Sequence, residues 1–261
     1  MIPRLLVGLA LSALFASACG PAEGHAAMAG RAVRDTLTTR RERLDSALAR
    51  HDSGREDKEL ARWIMPDALY EISGITLVGP GRLFAHEDQT ATVYEIDYRR
   101  GVVLKRFSLG ENRVKGDFEG IAAAGDRIFL FTSTGVLFEF REGKDHARVP
   151  FTIRDTKLGA ECEFEGVTFD PKTDALILAC KVAHMQDAGG NVVLYRWPMS
   201  ALDNGRTTRV LVPIEHVEMN ANIKALHPSD ITIDPFTGDY VLVASKEHAI
   251  IGISPEGKML Y

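Results

Sequence analysis

One short pattern returns four times in this chain and constrains its fold more than any other feature. It reads Glu71-Ile-Ser-Gly-Ile75, Asp117-Phe-Glu-Gly-Ile121, Glu163-Phe-Glu-Gly-Val167 and His227-Pro-Ser-Asp-Ile231. Counted at the fourth position, the copies stand at 74, 120, 166 and 230, in steps of 46, 46 and 64 residues. Each copy opens a series of short alternating segments broken by turn residues. A period in the forties with that texture is the mark of propeller blades, each a four-stranded antiparallel meander. The first strand of a blade lies nearest the axis, so a polar group repeated there gathers at one mouth of the channel.

The turn chemistry predicts the strands. In the first unit these are Ser73–Val78, Arg82–Glu87, Thr92–Asp97 and Val102–Leu109, separated by Gly79-Pro-Gly81, Asp88-Gln-Thr90 and Arg99-Arg-Gly101. The second unit gives Gly120–Ala124, Arg127–Thr132, Gly135–Arg141 and Ala147–Ile153. The third keeps its first hairpin about Asp170-Pro-Lys-Thr-Asp174, then has a loop over Val182–Asn191 before Val192–Trp197 and a long approach to the next unit. The fourth runs Asp230–Asp234, Asp239–Ser245 and Ala249–Ser254, and Gly257-Lys-Met-Leu-Tyr261 falls where its last strand begins. The fold class is therefore all-β, a β-propeller with four repeats visible and five or six blades expected of the intact protein, the chain being read as cut short at its C-terminal end, with a closing strand from Trp63–Tyr70 as the alternative. The expected segments are a leader over 1–18, a partly helical tether over 19–61 and the propeller over 62–261, with blades starting near 71, 117, 163 and 227.

The leader has Arg4, an apolar run from Leu5 to Phe15, and Ala16-Ser-Ala-Cys19. Eleven apolar or small residues fall short of the roughly 20 that a spanning helix needs, and the layout is that of a signal peptide. Small residues directly before Cys19 resemble a bacterial lipobox, although Ala16 stands where such motifs usually carry Leu. On that resemblance Cys19 is lipidated and ties the protein to a membrane; plain secretion is the alternative. Gly20 after the Cys fits sorting to the outer membrane. In the tether, Val33, Leu37, Leu44 and Leu48 form one helical stripe.

Of three Cys, the two beyond the lipidation candidate are Cys162 and Cys180. Antiparallel pairing about the turn at 170–174 brings them within a few residues of register. A disulfide there would stabilise by about 3 kcal/mol and suits an oxidising compartment; two separate buried thiols remain the alternative. A net charge of −5 without a long basic run gives no support for a nucleic-acid partner.

The candidate site is acidic. Residues two apart on a strand share a face, which pairs Asp117 with Glu119 and Glu163 with Glu165. Carboxylates pointed together raise one another's pKa unless a cation sits among them, and hard oxygen donors suit Ca²⁺ or Mg²⁺. Asp117, Glu119, Glu163 and Glu165 are therefore the expected metal ligands, with hydrogen bonding between blades as the competing role. His227 is read as a packing residue, and His86-Glu-Asp88 and Lys246-Glu-His248 as solvated turns. The nucleophile-elbow, zinc-helix, phosphate-loop and Cys-x-x-Cys motifs are absent from the sequence, and no organic cofactor is expected.

Leu69-Tyr-Glu-Ile-Ser-Gly-Ile-Thr76, Arg82-Leu-Phe-Ala85 and Val93-Tyr-Glu-Ile-Asp97, followed in order by Asp117-Phe-Glu-Gly-Ile-Ala122, Glu163-Phe-Glu-Gly-Val-Thr168 and His227-Pro-Ser-Asp-Ile-Thr-Ile-Asp-Pro235, resemble the SdiA-regulated family of bacterial envelope β-propeller proteins. The likeness covers about residues 63–261. It implies an envelope location and a further blade start that this sequence does not contain; with Cys19 lipidated, the expected place is the periplasmic face of the outer membrane. The expected function is a membrane-tethered module that binds a cation, a small ligand or an envelope protein. The alternatives are a calcium-dependent phosphoesterase of the phytase-like propeller type, by analogy of fold, and a structural envelope scaffold.

Overall fold

Several strands of this chain have no polar face: Ile128-Phe-Leu-Phe131 and Ala175-Leu-Ile-Leu-Ala-Cys180 are apolar at every position. Such a run is stable only where both faces of its sheet are covered. The structure, a computed structural model, describes residues 64–214 and 225–261, and before them only Glu42 and Ser46, both helical. The leader, Cys19 and the stripe from Val33 to Leu48 lie outside the described residues. The chain divides into units 1–56 and 57–261, and the second holds every described strand.

Four sheets follow one another along the sequence. The first blade is β1 (Ile72–Gly79), β2 (Arg82–Glu87), β3 (Thr92–Asp97) and β4 (Val102–Leu109). The second is β5 (Phe118–Ala124), β6 (Arg127–Thr132), β7 (Val136–Phe140) and β9 (Phe151–Asp155). The third is β10 (Cys162–Asp170), β11 (Ala175–Ala183), β12 (Val192–Pro198) and β13 (Thr208–Val212). The fourth is β14 (Asp230–Ile233), β15 (Tyr240–Ala244) and β16 (Ala249–Ile253). Gly257, at φ 89°, turns the chain so that Met259 bridges Ile253 and Leu260 N–H donates to Gly252 O, the first rungs of a further strand.

The segment 147–153, expected as one strand, serves two blades. β8 (Arg148–Val149) leaves the second blade and pairs in parallel with Ser108–Leu109 on the edge of the first. Pro150 follows, and β9 then completes the second blade against β7. Exchanging one short strand covers an edge that would otherwise present unpaired backbone groups.

Alternation along each strand distributes side chains between the two neighbouring blades. On β6, Ile128 and Leu130 pack with Phe84, Phe107 and Phe118 of the first interface, whereas Phe129 and Phe131 pack with Phe164 and Leu176 of the second. On β11, Leu176 and Leu178 face the second blade, and Ile177 and Ala179 face Ile231, Tyr240 and Leu242 of the fourth. Period two is preserved, with both destinations apolar. The outer face of the first blade is covered at Ala85, Tyr94 and Ile96 by Leu69 and Met65.

The inner strands pack in series, β1 on β5, β5 on β10 and β10 on β14. Their approach is set by the repeated glycine. A Cβ on Gly74 would lie 3.3 Å from Gly120 Cα, and one on Gly120 would lie 3.0 Å from Val167 N and 3.2 Å from Glu165 O. On Gly166 it would lie 2.8 Å from Ile231 N. At Gly120 and Gly166 the obstacle includes backbone, which cannot rotate aside. We predict that Gly166→Ala lowers stability by roughly 1–3 kcal/mol through overpacking, read as an earlier midpoint in urea unfolding; an unchanged midpoint would show that the blades can move apart freely.

Candidate functional site

The inner strands carry a second shared device. In β1, Ile72 pairs with Glu87 and Gly74 with His86, leaving Ser73 as an extra residue. Glu119 is extra in the same way between the Phe118–Thr132 and Gly120–Phe131 pairs, and Glu165 between Phe164–Cys180 and Gly166–Ala179. A bulge leaves one residue outside the ladder and redirects its side chain. Three consecutive blades thus direct Ser73, Glu119 and Glu165 toward one another.

Their contacts run across the blades. Ser73 Oγ donates to Glu119 Oε2 at 2.9 Å, a bond between the first and second blades. Glu165 accepts from Lys181 Nζ, which also lies 3.4 Å from Glu163 Oε1. Lys181 is itself the extra residue on β11, between the Glu163–Val182 and Phe164–Cys180 pairs. The residues preceding Glu163 and Lys181 are Cys162 and Cys180, joined in a disulfide with Cα atoms 5.7 Å apart. The crosslink fixes β10 against β11 where both carboxylates and the ammonium emerge.

Asp230 completes the group. It stands where the other repeats have glycine, and its carboxylate accepts only from Ile231 N–H at 2.8 Å among the described contacts. Burial pushes it up to about 7, with Glu165 adding to the effect. Burial likewise pushes Glu119 up to about 7; Ser73 opposes the rise, Glu165 and Asp117 reinforce it, and Lys181 opposes it weakly. Lys181 is raised by its bond to Glu165. Among the described residues the cluster therefore has one ammonium, which serves Glu163 and Glu165, while Glu119 and Asp230 accept no hydrogen bond from a cation and are both pushed up to about 7.

Of the four expected ligands, Glu119 and Glu165 lie at this centre, Glu163 at its edge, and Asp117 is exposed and accepts from Ser133 Oγ. Glu71 is also exposed and accepts from Gln89 Nε2 at 3.2 Å. As placed, the four do not fit Ca²⁺ or Mg²⁺: no group of three or more His, Cys, Asp or Glu among the described residues could hold a metal ion. Lys181 supplies positive charge where the sequence reading put a metal. Its sequence signal was a lone Lys ending the apolar run 175–180. Asp230 was masked by its alignment with the glycines.

Two histidines differ from expectation. His86, read as a solvated turn residue, is fully buried, with Nδ1 3.0 Å from Glu87 O and Nε2 without a partner. Burial pushes it down to about 4. Gly74 makes the room for it, since a Cβ there would lie 2.6 Å from His86 Nε2. His227 bonds Glu247 through both Nδ1, at 2.7 Å, and its backbone N–H, at 3.1 Å.

No known family model and no curated protein matches the chain. Solved structures that it resembles include virginiamycin B lyase from Staphylococcus aureus, at 16% identity over 75% of this chain and 55% of that one, with a TM-score of 0.46. Myxococcus xanthus glutaminyl cyclase gives 14%, 72%, 68% and 0.48 in the same order. A Bacteroides thetaiotaomicron protein of unknown function gives 14%, 79%, 46% and 0.45. The chain spans about half the length of the first of these matches. The protein is a β-propeller of antiparallel blades.

A raised carboxyl pKa means that folding holds a proton that the unfolded chain releases in the ordinary carboxylate range. For Glu119, stability is complete below about 4.5 and is lost as pH rises through about 7. His86 acts in the opposite direction, its contribution being lost as pH falls from 6.5 through about 4. The difference between wild type and Glu119→Gln cancels the His86 contribution. We predict that Glu119→Gln melts a few degrees higher than wild type at pH 8, on the order of 1 kcal/mol after screening, and that the gain disappears at pH 5. A gain of equal size at both values would mean that the carboxyl does not titrate in this window.

Proposed function

We propose that the protein is a non-catalytic binding propeller of the bacterial envelope, of the SdiA-regulated type, which takes a positively charged organic ligand between Glu119 and Asp230. The observation that carries this reading is the imbalance of the inner cluster, in which, among the described residues, Lys181 serves Glu163 and Glu165 and the carboxyls of Glu119 and Asp230 have no bonded cation. An ammonium or guanidinium group entering there supplies the missing charge and N–H donors, and it displaces the protons that the two carboxyls hold. Binding therefore strengthens as pH rises through about 7. The phosphoesterase reading depends on a metal set that the described carboxylates do not form.

The envelope assignment is supported by the leader pattern, by the residues shared with the family and by the disulfide, which suits an oxidising compartment. Tethering through Cys19 predicts that Cys19→Ser moves the protein from the membrane fraction to the soluble one; retention at the membrane would remove the lipid anchor from the account.

Calorimetric titration with methylammonium, guanidinium, spermidine, Ca²⁺ and Mg²⁺ tests the ligand class. At least one of the organic cations is expected to bind more tightly at pH 8 than at pH 6, and to lose at least tenfold in affinity in Glu119→Gln. Binding of the metal ions alone, or of none of the five, would contradict the proposal.

A further inference from the structure

Away from the inner cluster, a groove of about 320 Å³ opens on the outer part of the first blade. That volume is at the lower end of the range for small-molecule sites. Its floor is a line of hydroxyls. Thr90, which is buried, donates to Glu87, and its Oγ1 lies 3.1 Å from Thr92 Oγ1, which in turn lies 3.2 Å from Ser108 Oγ. Because Glu87 can only accept when ionised, it fixes the direction of the chain: Thr92 donates to Thr90, Ser108 donates to Thr92, and the free lone pairs of Ser108 remain for a donor in the groove.

The rim is basic. Arg106, Arg113 and Arg148 line the groove, and none of them is paired with a carboxylate among the described residues. Elsewhere among the described residues the arginines at 82, 100, 127, 141, 154 and 209 have carboxylate partners, whereas Arg196 bonds Tyr240 Oη and Pro255 O instead. Three guanidinium groups around one concavity outnumber its two nearby carboxylates, Glu87 in the lining and Asp145 beside Arg106 and His146, in a protein whose net charge is −5.

The walls are fixed by backbone. The strand exchange brings residues 144–149 back onto β4, where His146 N–H donates to Arg106 O at 2.7 Å, Ser108 N–H to Ala147 O at 3.0 Å and Gly110 N–H to Val149 O at 2.8 Å. Asp145 accepts from Arg106 N–H at 3.0 Å. This geometry holds His146, a groove residue, at φ 57°, in the left-handed region that non-glycine residues seldom occupy. The loop that carries Arg113 is tied by Ala91 N–H to Val114 O at 3.0 Å. The arginines thus project from a preorganised frame, which reduces the ordering cost of binding.

We propose that this groove binds a small organic oxyanion carried on a polyol, a phosphate or carboxylate whose charge meets Arg106, Arg113 and Arg148 and whose hydroxyl group donates to Ser108. Guanidinium forks match the two oxygens of either anion, and the hydroxyl floor accounts for a polyol in place of a bare ion. This site is independent of the inner cluster and of any ligand bound there.

The test is calorimetry on the full chain at low ionic strength with glycerol 3-phosphate, glucuronate and, as the neutral control, glucose. Binding of glycerol 3-phosphate alone identifies a phosphate ligand, and of glucuronate alone a carboxylate; either supports the proposal, provided that glucose does not bind. The paired variant Arg113→Gln with Arg148→Gln is expected to weaken binding at least tenfold at an unchanged melting temperature, since both side chains are exposed. Ser108→Ala, with both guanidinium groups in place, should weaken binding severalfold. Failure of both anions to bind, equal binding of glucose, or unchanged affinity in the paired variant would overturn the proposal.

Discussion

The close approach of consecutive inner strands governs the rest of this molecule. Gly120 and Gly166 meet the backbone of the next blade at distances that leave no room for a Cβ. Gly74 meets Gly120 Cα and makes space for a buried histidine. Because the blades approach so closely at the glycine, the residue before it has no place in the flat ladder. In three blades that residue is a bulge, directed away from its own sheet. The structural repeat and the acidic cluster therefore have one cause: a glycine that admits the neighbouring blade, preceded by a polar side chain turned toward the cluster. The fourth blade shows the reverse case. Asp230 takes the glycine position, and β14 pairs with β15 without a bulge.

Charge in the cluster is balanced unevenly. Lys181, held by the Cys162–Cys180 crosslink beside it, answers Glu165 and Glu163. Among the described residues nothing positive answers Glu119 or Asp230 as strongly, so burial and their acidic neighbours push both carboxyls up to about 7. A protein that merely needed a polar link between blades could use serine throughout, as the first blade does with Ser73. Two under-compensated carboxyls are costly in a fold otherwise closed by apolar packing, and that cost is the physical ground for reading the cluster as a place where charge is received.

Much of the architecture is written in local signals. Arg82–Glu87, Thr92–Asp97 and Val102–Leu109 occur as expected because Gly-Pro-Gly, Asp-Gln-Thr and Arg-Arg-Gly fix the turn that precedes each. The division of 147–153 between two blades was not legible, since Pro150 reads equally as the interior of an edge strand or as the point where one strand becomes two. Thr208–Val212, which reads from the sequence as a long approach to the fourth unit, is β13, and nothing local distinguishes it from a loop until Val192–Arg196 pairs with it. In the site, Glu119 and Glu165 were legible through repetition. Lys181 and Asp230 each occur once, and a single residue leaves no periodic trace. His86 looked solvated because its burial depends on Gly74 of the adjacent strand and on the approach of the second blade, both properties of the assembled sheet.

The central claim is that the inner strands hold Glu119 and Asp230, each beside Glu165, in surroundings short of positive charge. Direct observation of the two carboxyl carbons by ¹³C NMR across a pH titration of the folded protein tests it most plainly. The account predicts midpoints near 7 for both residues, well above the ordinary carboxylate range. Midpoints near 4 for both would mean that each carboxyl is solvated or paired, and the charge-deficient site would not exist.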